Sequence, residues 1–319
     1  MNSRKVSFSN VWERFGTFII FIVMILIVSI IAPRQFMSTN NLVQIVVQSS
    51  TTMLISFGEF FAILIAGIDL SVGSVLALTS MVSAKLMVAG IPPVFAILIG
   101  SIIFGAFLGF VNGTLINFTG LHPFVITLGT NAIFRGLTLI VSNAIPVFGF
   151  PQSFKTAFGG MLWGWLPMPI FWAVLVALIL KFITEKSIMG RNFYALGGSK
   201  ESAWFSGINV KLHTLMVFMI SGICAGMAGA VQLARIGSAE PMAGNGDETF
   251  AIASVIIGGA SFFGGKGRIS GVLVGALIIG LISNALNMLS VPTYYQQVVT
   301  GSLIIGAVTI DMFVSKGNK

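Results

Sequence analysis

Residues 185–213 read EKSIMGRNFYALGGSKESAWFSGINVKLH, the longest polar interval in a chain that is otherwise almost continuously apolar. The interval holds more cations than anions. Because Lys and Arg resist translocation across a bilayer, a basic loop between apolar segments is predicted to be cytoplasmic. The loop is also rich in small residues, which would let two short helices pack closely. It is either the segment to which a soluble partner protein binds or an ordinary solvated loop.

The composition of the whole chain indicates a membrane protein. Of its 319 residues 56% are hydrophobic and only 8% are charged, with a mean hydropathy of +1.00. Soluble domains carry about 25% charged residues. We therefore predict an all-α, polytopic integral membrane protein. The formal net charge of +8 is concentrated in loops, so it indicates topology and contact with membrane lipid rather than nucleic acid.

About ten transmembrane helices are expected, since a span needs roughly 20 apolar residues. The segment 15–32 shows no clear cleavage site, so it is interpreted as a retained helix. The eighth candidate is short and rich in glycine, which leaves open whether it crosses completely. The candidates are 15–32, 42–66, 70–89, 93–117, 122–142, 168–184, 212–234, 247–262, 268–289 and 294–314.

The distribution of cations predicts that both termini are cytoplasmic. The side predicted to be inner receives Arg4, Lys5, Arg14, Lys181, Lys186, Arg191, Lys200, Lys211, Lys266, Arg268, Lys316 and Lys319. The side predicted to be outer receives only Arg34, Lys85, Lys155 and Arg235.

The long inner loop separates two comparable blocks, spans 2–5 and spans 7–10. Because the blocks are offset by five spans, one would be inverted relative to the other, an arrangement that places transport paths at the interface of the repeats. We predict a single transmembrane domain over residues 1–319, with residues 185–213 as a cytoplasmic segment for coupling to a soluble partner.

Polar residues inside the predicted spans are candidates for a transport path, because ionisable groups are costly in hydrocarbon. Glu59 is the clearest case, and it shares one helix face with several polar residues of span 2. Such a face either lines a hydrated path or bonds to a neighbouring helix. The candidates for the translocation path are Gln44, Gln48, Thr51, Thr52, Glu59, Thr127, Asn131, Asn284 and Asn287.

Three further expectations concern the connections. Arg135 is expected to pair with Asp69, since both are predicted toward the inner side. Asp69 or Ser71 is expected to cap span 3 by accepting backbone N–H bonds. The acidic outer loop 235–249 is either a docking surface or a plain connector, and its docking candidates are Glu240, Asp247 and Glu248.

The sequence carries no recognisable energy source or catalytic site. The run Gly264–Arg268 resembles a phosphate-binding loop but lacks the earlier glycine and the Ser or Thr after its lysine. No zinc-ligand spacing and no catalytic triad order is found, and His122 and His213 are the only histidines. We therefore expect no enzyme activity, no catalytic residue, no metal and no cofactor on this chain.

Three ordered motifs give a resemblance that covers nearly the whole chain. GIDLSVGSVLAL at 67–78, GRNFYALGGSKESAWFSGINV at 190–210 and SFFGGKGRISG at 261–271 resemble the signatures of the ribose-type permeases of sugar ABC importers. GEFFAILIAGIDLSVG at 58–73 and TGLHPFVITLGTNAIFRG at 119–136 are most similar to the D-allose branch. Ribose permeases carry an uncharged residue in place of Glu59, which argues against ribose as the substrate.

The resemblance implies a function and a set of partners. It implies a homodimeric permease in the bacterial inner membrane that imports D-allose or a related pentose or hexose. A cytoplasmic ABC ATPase holding ATP and Mg would drive it, and a periplasmic sugar-binding protein would supply it. The residues implied in coupling to the ATPase are Gly190, Arg191, Ala195, Gly197, Gly198, Ser206 and Gly207. Alternatives are a proton-coupled secondary sugar transporter that uses Glu59, a passive channel and, more remotely, a membrane enzyme.

Overall fold

The computed structural model describes residues 8–317, which form fifteen α-helices, one π-helical turn and a two-stranded hairpin. The expectations for Arg4, Lys5 and Lys319, and for the two chain ends, lie outside the described residues, as do the side chains of Arg14 and Lys316. In chain order the elements are α1 (Phe8–Ile31), α2 (Pro33–Phe36), α3 (Thr39–Leu64), α4 (Val72–Val88), α5 (Pro93–Ile97), the π-turn (Leu98–Ile103), α6 (Phe104–Thr119), α7 (Pro123–Ser142), α8 (Gln152–Gly159), β1 (Met161–Leu162), β2 (Leu166–Pro167), α9 (Met168–Lys186), α10 (Ile188–Gly198), α11 (Lys200–Phe205), α12 (Val210–Ile236), α13 (Asp247–Ile257), α14 (Ile269–Met288) and α15 (Thr293–Gly317).

Each of the ten predicted spans coincides with helix, which confirms the all-α membrane class. Within the described residues, six helices are long and apolar enough to cross a membrane: α3, the continuous α5–α6 segment, α7, α9, α12 and α14. The eighth predicted span is shorter than expected, since α13 has 11 residues. At 1.5 Å per residue it covers about half of a bilayer core.

The helix boundaries follow local capping chemistry. The Asn209 side chain accepts a hydrogen bond from the Leu212 N–H at 3.0 Å and begins α12, which ends at Gly237 with a φ of 81°. The Ser38 hydroxyl accepts from the Asn41 N–H and begins α3. Polar caps of this kind satisfy backbone donors that the first turn leaves free.

Helices α3 and α12 form the centre of the bundle. Most of their side chains are buried, whereas α7 and α9 are largely exposed. Helix α12 packs on α3, α4 and α6, and α3 packs on α13 and α14. The core between them is aromatic and aliphatic, with Phe57, Phe61 and Phe218 fully buried. The apolar outer faces, which include Ile140 and Phe182, fit a lipid environment.

Two short helices, α4 and α13, begin at irregular segments inside the bundle. Helix α3 ends at Leu64, and residues 65–71 lead into α4, which has only 17 residues. A Cβ at Gly73 would overlap the Gly244 carbonyl oxygen, so the start of α4 touches the segment 237–246 that precedes α13. Irregular backbone at membrane depth is tolerated where protein buries it.

Candidate translocation site

A polar cavity of about 450 Å³ lies among α3, α12, α13 and α14. Its lining comes from the first half of α3, the last turns of α12, the start of α13 and the second half of α14, all on the side predicted to be outer. The residues that line it are Gln44, Gln48, Thr51, Thr52, Gln232, Arg235, Ile236, Asp247, Phe250, Ile279, Gly280 and Ser283.

Four residues predicted for the path come together in this cavity. Gln44 and Gln48 are exposed, Thr52 is half-buried and Thr51 is buried. The helical spacing of 44, 48, 51 and 52 places them on one face of α3. Their chemistry is that of amides and hydroxyls, which pair with the hydroxyl groups of a ligand.

Much of the cavity wall was not predicted from the sequence. Gln232 was not singled out, and Arg235 and Asp247 were assigned to the outer loop alone. Phe250 and Ser283 were also missed. Gln232 and Arg235 stand three residues apart in the otherwise apolar end of α12, and this pair was the available indication, because residues at that spacing share a helix face.

Glu59 belongs to a separate buried cluster. Its Oε1 accepts from the Asp69 N–H at 3.2 Å. Asp69 in turn accepts from the Ser71 N–H, from the Ser71 hydroxyl at 2.6 Å and from the Ser221 hydroxyl at 2.7 Å. The Asn112 amide donates to the Ser71 hydroxyl at 2.8 Å. The cluster therefore joins α3, α6 and α12 around the segment 65–71.

The backbone folds back in this region. Helix α3 ends at Leu64, and the residues that follow return alongside it, which brings the Asp69 N–H to Glu59. Of the two candidates for the cap of span 3, Ser71 makes no capping bond from its side chain. Asp69 does accept a backbone N–H bond, from Ser71, and its carboxylate also accepts from the Ser221 hydroxyl, so it fastens the segment to α12.

Arg135 does not pair with Asp69. Its Nη1 donates to the carbonyl oxygens of Pro241 at 3.0 Å and Ala243 at 2.7 Å. The reason is position, because Arg135 lies three turns into α7 and reaches the segment 237–246 rather than the inner side. Thr127, on the first turns of α7, donates to the Ile68 carbonyl at 2.9 Å.

The remaining path candidates lie outside this cavity within residues 8–317. Asn284 and Asn41 exchange two amide hydrogen bonds, of 2.9 Å and 3.2 Å, between α14 and α3. Asn287 accepts from Gln296 at 2.7 Å. Asn131 is half-buried on α7. Bonds between neighbouring helices are the alternative that the sequence left open for such residues.

The coupling segment is anchored to the end of α3. The Gly265 N–H donates to the Leu64 carbonyl at 2.9 Å, and a Cβ at Gly197 would overlap that same carbonyl oxygen. The Tyr194 hydroxyl donates to the Gly267 carbonyl at 2.8 Å. Burial raises the pKa of the Tyr194 hydroxyl, which keeps it protonated as a donor.

The other side of the coupling segment is exposed. Arg191, Ala195, Gly198, Ser206 and Gly207 are all exposed, whereas Gly190 is buried against α9. Trp204 and Phe205 belong to the same exposed surface, with 64% and 81% of their areas exposed. The predicted coupling residues therefore divide into an anchored set, Gly190 and Gly197, and an exposed set.

The three acidic residues of the outer loop lie against other parts of the chain. The Ser238 hydroxyl donates to Glu240 at 2.6 Å. Asp247 and Arg235 line the same cavity. Glu248 lies beside Gly73.

The geometry defines the class of the protein. A bundle of membrane-length helices encloses a small polar cavity, and its opposite end carries an anchored, partly exposed helical segment. Within residues 8–317, no group of three or more His, Cys, Asp and Glu side chains could hold a metal ion. The bundle and its cavity are the features of a polytopic membrane transport protein.

Comparison with known proteins identifies the family. Residues 41–308 match the family described as "Branched-chain amino acid transport system / permease component", and the chain belongs to this permease family. It is 57% identical to the D-allose transport system permease protein AlsC of Escherichia coli (strain K12), over 98% of this chain and 96% of the relative.

Two further relatives carry ribose in their names. The chain is 41% identical to the ribose import permease protein RbsC of Bacillus subtilis (strain 168), over 97% of this chain and 95% of the relative. It is 39% identical to the ribose import permease protein RbsC of Haemophilus influenzae (strain ATCC 51907 / DSM 11121 / KW20 / Rd), over 93% of each chain. No solved structure matches the chain.

Proposed function

We propose that this chain is the membrane permease subunit of an ATP-driven importer of a monosaccharide, D-allose or a related pentose or hexose. The observation that carries the proposal is the cavity among α3, α12, α13 and α14. Its amides and hydroxyls suit a neutral sugar, and the relative with 57% identity is named for D-allose transport. The sugar would pass from a periplasmic binding protein to the cytoplasm of a bacterium.

A separate ATPase subunit would bind ATP and Mg and drive the cycle. The exposed set of the coupling segment supports this part of the proposal, because Trp204 and Phe205 leave a large aromatic surface uncovered. Exposed apolar patches rimmed by polar residues mark protein interaction sites. Arg191, Ala195, Gly198, Ser206 and Gly207 would form the ATPase contact, while Gly190 and Gly197 would transmit its movement.

On the outer side, the segment 237–246 would meet the binding protein. Met242 is 53% exposed, and Asn245 is exposed beside it. The Glu240 carboxylate accepts from Ser238, and Asp247 and Glu248 lie against other parts of the chain, so the three would act mainly by fixing the segment. Arg135 supports it from α7 through its two bonds to backbone carbonyls.

The chain would act as a homodimer in the inner membrane, with both termini cytoplasmic. Helix α7 supports this part, because Gly129 and Gly136 face open space on its surface and small residues let membrane helices approach closely. The two blocks would be inverted repeats. In support, the packing of α12 on α4 and α6 matches the packing of α3 on α13 and α14. Likewise, the packing of α7 on α4 matches the packing of α15 on α13.

A proton-coupled transporter remains a second candidate because of one observation. Within the part of the chain that the structure describes, the Oε2 atom of Glu59 is buried without a hydrogen-bond partner. A carboxyl group that carries a proton across a membrane would pass through such an unpaired state. In that case a pH gradient alone would drive uptake.

Reconstitution distinguishes the two functions. We expect vesicles that contain the chain, the ATPase and the sugar-loaded binding protein to accumulate D-allose when ATP is supplied. Vesicles with the chain alone should show no accumulation under an imposed pH gradient. Uptake by the chain alone under that gradient would contradict the proposal and support the second function.

A further inference from the structure

The wall of the cavity includes two residues that carry an unpaired polar atom. Among residues 8–317, the Thr51 hydroxyl oxygen and the Gln232 side-chain oxygen Oε1 are both buried without a hydrogen-bond partner. Thr51 is 96% buried, since only 4% of its area is exposed, and both residues line the cavity. Buried polar atoms in folded proteins are nearly always paired. Two such atoms on facing helices point to a ligand or to water that a ligand displaces.

The charges of the cavity indicate the class of that ligand. Among the described residues that line the cavity, Arg235 on α12 and Asp247 on α13 are the charged pair, so the formal charges of the wall cancel. An anion would meet the Asp247 carboxylate and a cation would meet the Arg235 guanidinium. A neutral molecule with several hydroxyl groups can donate to Asp247, Gln232 and Thr51 and can also accept from Arg235.

The remaining lining completes a site for such a molecule. Phe250 supplies an aromatic side chain, against which the C–H face of a sugar ring can pack. Gln44 and Gln48 lie at the exposed mouth. The volume of about 450 Å³ lies in the range of roughly 300–1,000 Å³ that is typical of small-molecule sites.

We propose that the permease itself has a monosaccharide-binding site in this cavity, with Gln232 and Thr51 as its deep hydrogen-bonding groups and Arg235, Asp247 and Phe250 as its walls. This inference rests on the proposed function, and it adds that selectivity for the sugar does not come from the binding protein alone. The groups named here come from a single chain.

Protection of a cysteine at the mouth tests the site. The substitution Gln48→Cys is made in the full chain, which is purified and placed in nanodiscs. The rate at which a water-soluble maleimide labels this cysteine is measured with and without D-allose. The natural Cys224 is buried, so its contribution is measured in the unmutated chain. We expect D-allose to slow labelling at position 48 and betaine of equal osmolality to leave it unchanged. Ser153→Cys on exposed α8 is the matched control, which neither solute should protect.

The deep groups are tested in the same background. Thr51→Val and Gln232→Leu should each raise the D-allose concentration that gives half-protection by about tenfold, since each removes a hydrogen-bonding group from a buried site. Thr51→Ser keeps the hydroxyl and should retain protection. Gln35→Leu removes an exposed amide from α2 and should have no effect.

The outcomes separate this inference from the proposed function. One refuting result is that the complex without these substitutions imports D-allose with ATP while the sugar fails to protect position 48 from labelling. The other is that the sugar protects Thr51→Val and Gln232→Leu as well as it protects the protein without them. Either result refutes the site and leaves the importer function standing. If D-allose protects position 48 as expected but the complex does not import it, the site stands and the proposed transport function is refuted.

Discussion

At the scale of single residues, Glu59 illustrates how a buried carboxylate can serve the fold. It sits near the end of α3 and holds the Asp69 N–H of the segment that folds back beside it. Asp69 then holds Ser221 on α12. Each contact satisfies a polar group that would otherwise be buried alone, which is costly in a membrane.

Substitution of Glu59 separates an acceptor role from a proton-carrying role. Glu59→Gln keeps an oxygen that can accept from the Asp69 N–H, so we expect uptake by the complete complex close to that of the unmutated protein. Glu59→Leu leaves this N–H unpaired and should destabilise the protein by about 1–3 kcal/mol, with reduced uptake. Thermal unfolding in detergent and ATP-driven uptake are the measurements.

The opposite pattern would contradict the acceptor role. If Glu59→Gln abolished uptake while its thermal unfolding matched that of the unmutated protein, a protonation role would be indicated. Equal uptake by all three proteins would show that the side chain matters for neither transport nor folding.

At the scale of the element, α10 joins two structures that are far apart in sequence. It packs on the end of α3 through Gly197 and on the loop after α13 through the Tyr194 bond to Gly267. Its other face is exposed. A movement imposed on the exposed face would therefore reach α3 directly.

Two helical glycines offer a matched pair for this contact. Gly197→Ala on α10 places a Cβ against the Leu64 carbonyl, whereas a Cβ at Gly306 on α15 would meet no other described part of the chain within 4 Å. We expect Gly197→Ala to lower ATP-driven uptake several-fold with normal membrane insertion, and Gly306→Ala to retain most of its uptake. Uptake and the amount of protein in the membrane fraction are measured together. Normal uptake by Gly197→Ala would show that this contact does not couple the two parts.

At the scale of the whole molecule, α3 connects the coupling end with the cavity. Leu64 lies at the anchored end and Gln48 at the cavity mouth, so about 24 Å of continuous helix joins them. A long helix transmits a displacement of one end to the other when its packing holds it rigid. Under the proposed function, α3 would be the mechanical link between the ATPase contact at its inner end and the sugar site at its outer end.

Labelling at the cavity mouth measures this link. In the complete complex, we expect the labelling rate of Gln48→Cys to change when a non-hydrolysable ATP analogue is added, because nucleotide binding moves the coupling segment. The response should disappear when Gly197→Leu is added, and Ser153→Cys should not respond in either background. A full nucleotide response at position 48 in the Gly197→Leu protein would refute transmission through this contact.

The amino-acid sequence alone was enough to predict the membrane class of the protein and the positions of its helices. Apolar runs of membrane length fix the helices, because backbone polar groups in a bilayer must be satisfied within the helix. The motifs at 67–78, 190–210 and 261–271 were sufficient to indicate the permease family. Gln44, Gln48, Thr51 and Thr52 were found because helical spacing puts them on one face.

Only the tertiary structure decided which polar residues share a site. Gln232 and Asp247 meet the α3 face because α12 and α13 pack beside it, and the spacing within a single helix carries no information about such neighbours. The same limit explains the wrong pairing of Arg135 with Asp69. Segments 65–71 and 237–246 fold into the bundle, and hydropathy places them at its ends because it records how apolar a segment is and not how deep it lies.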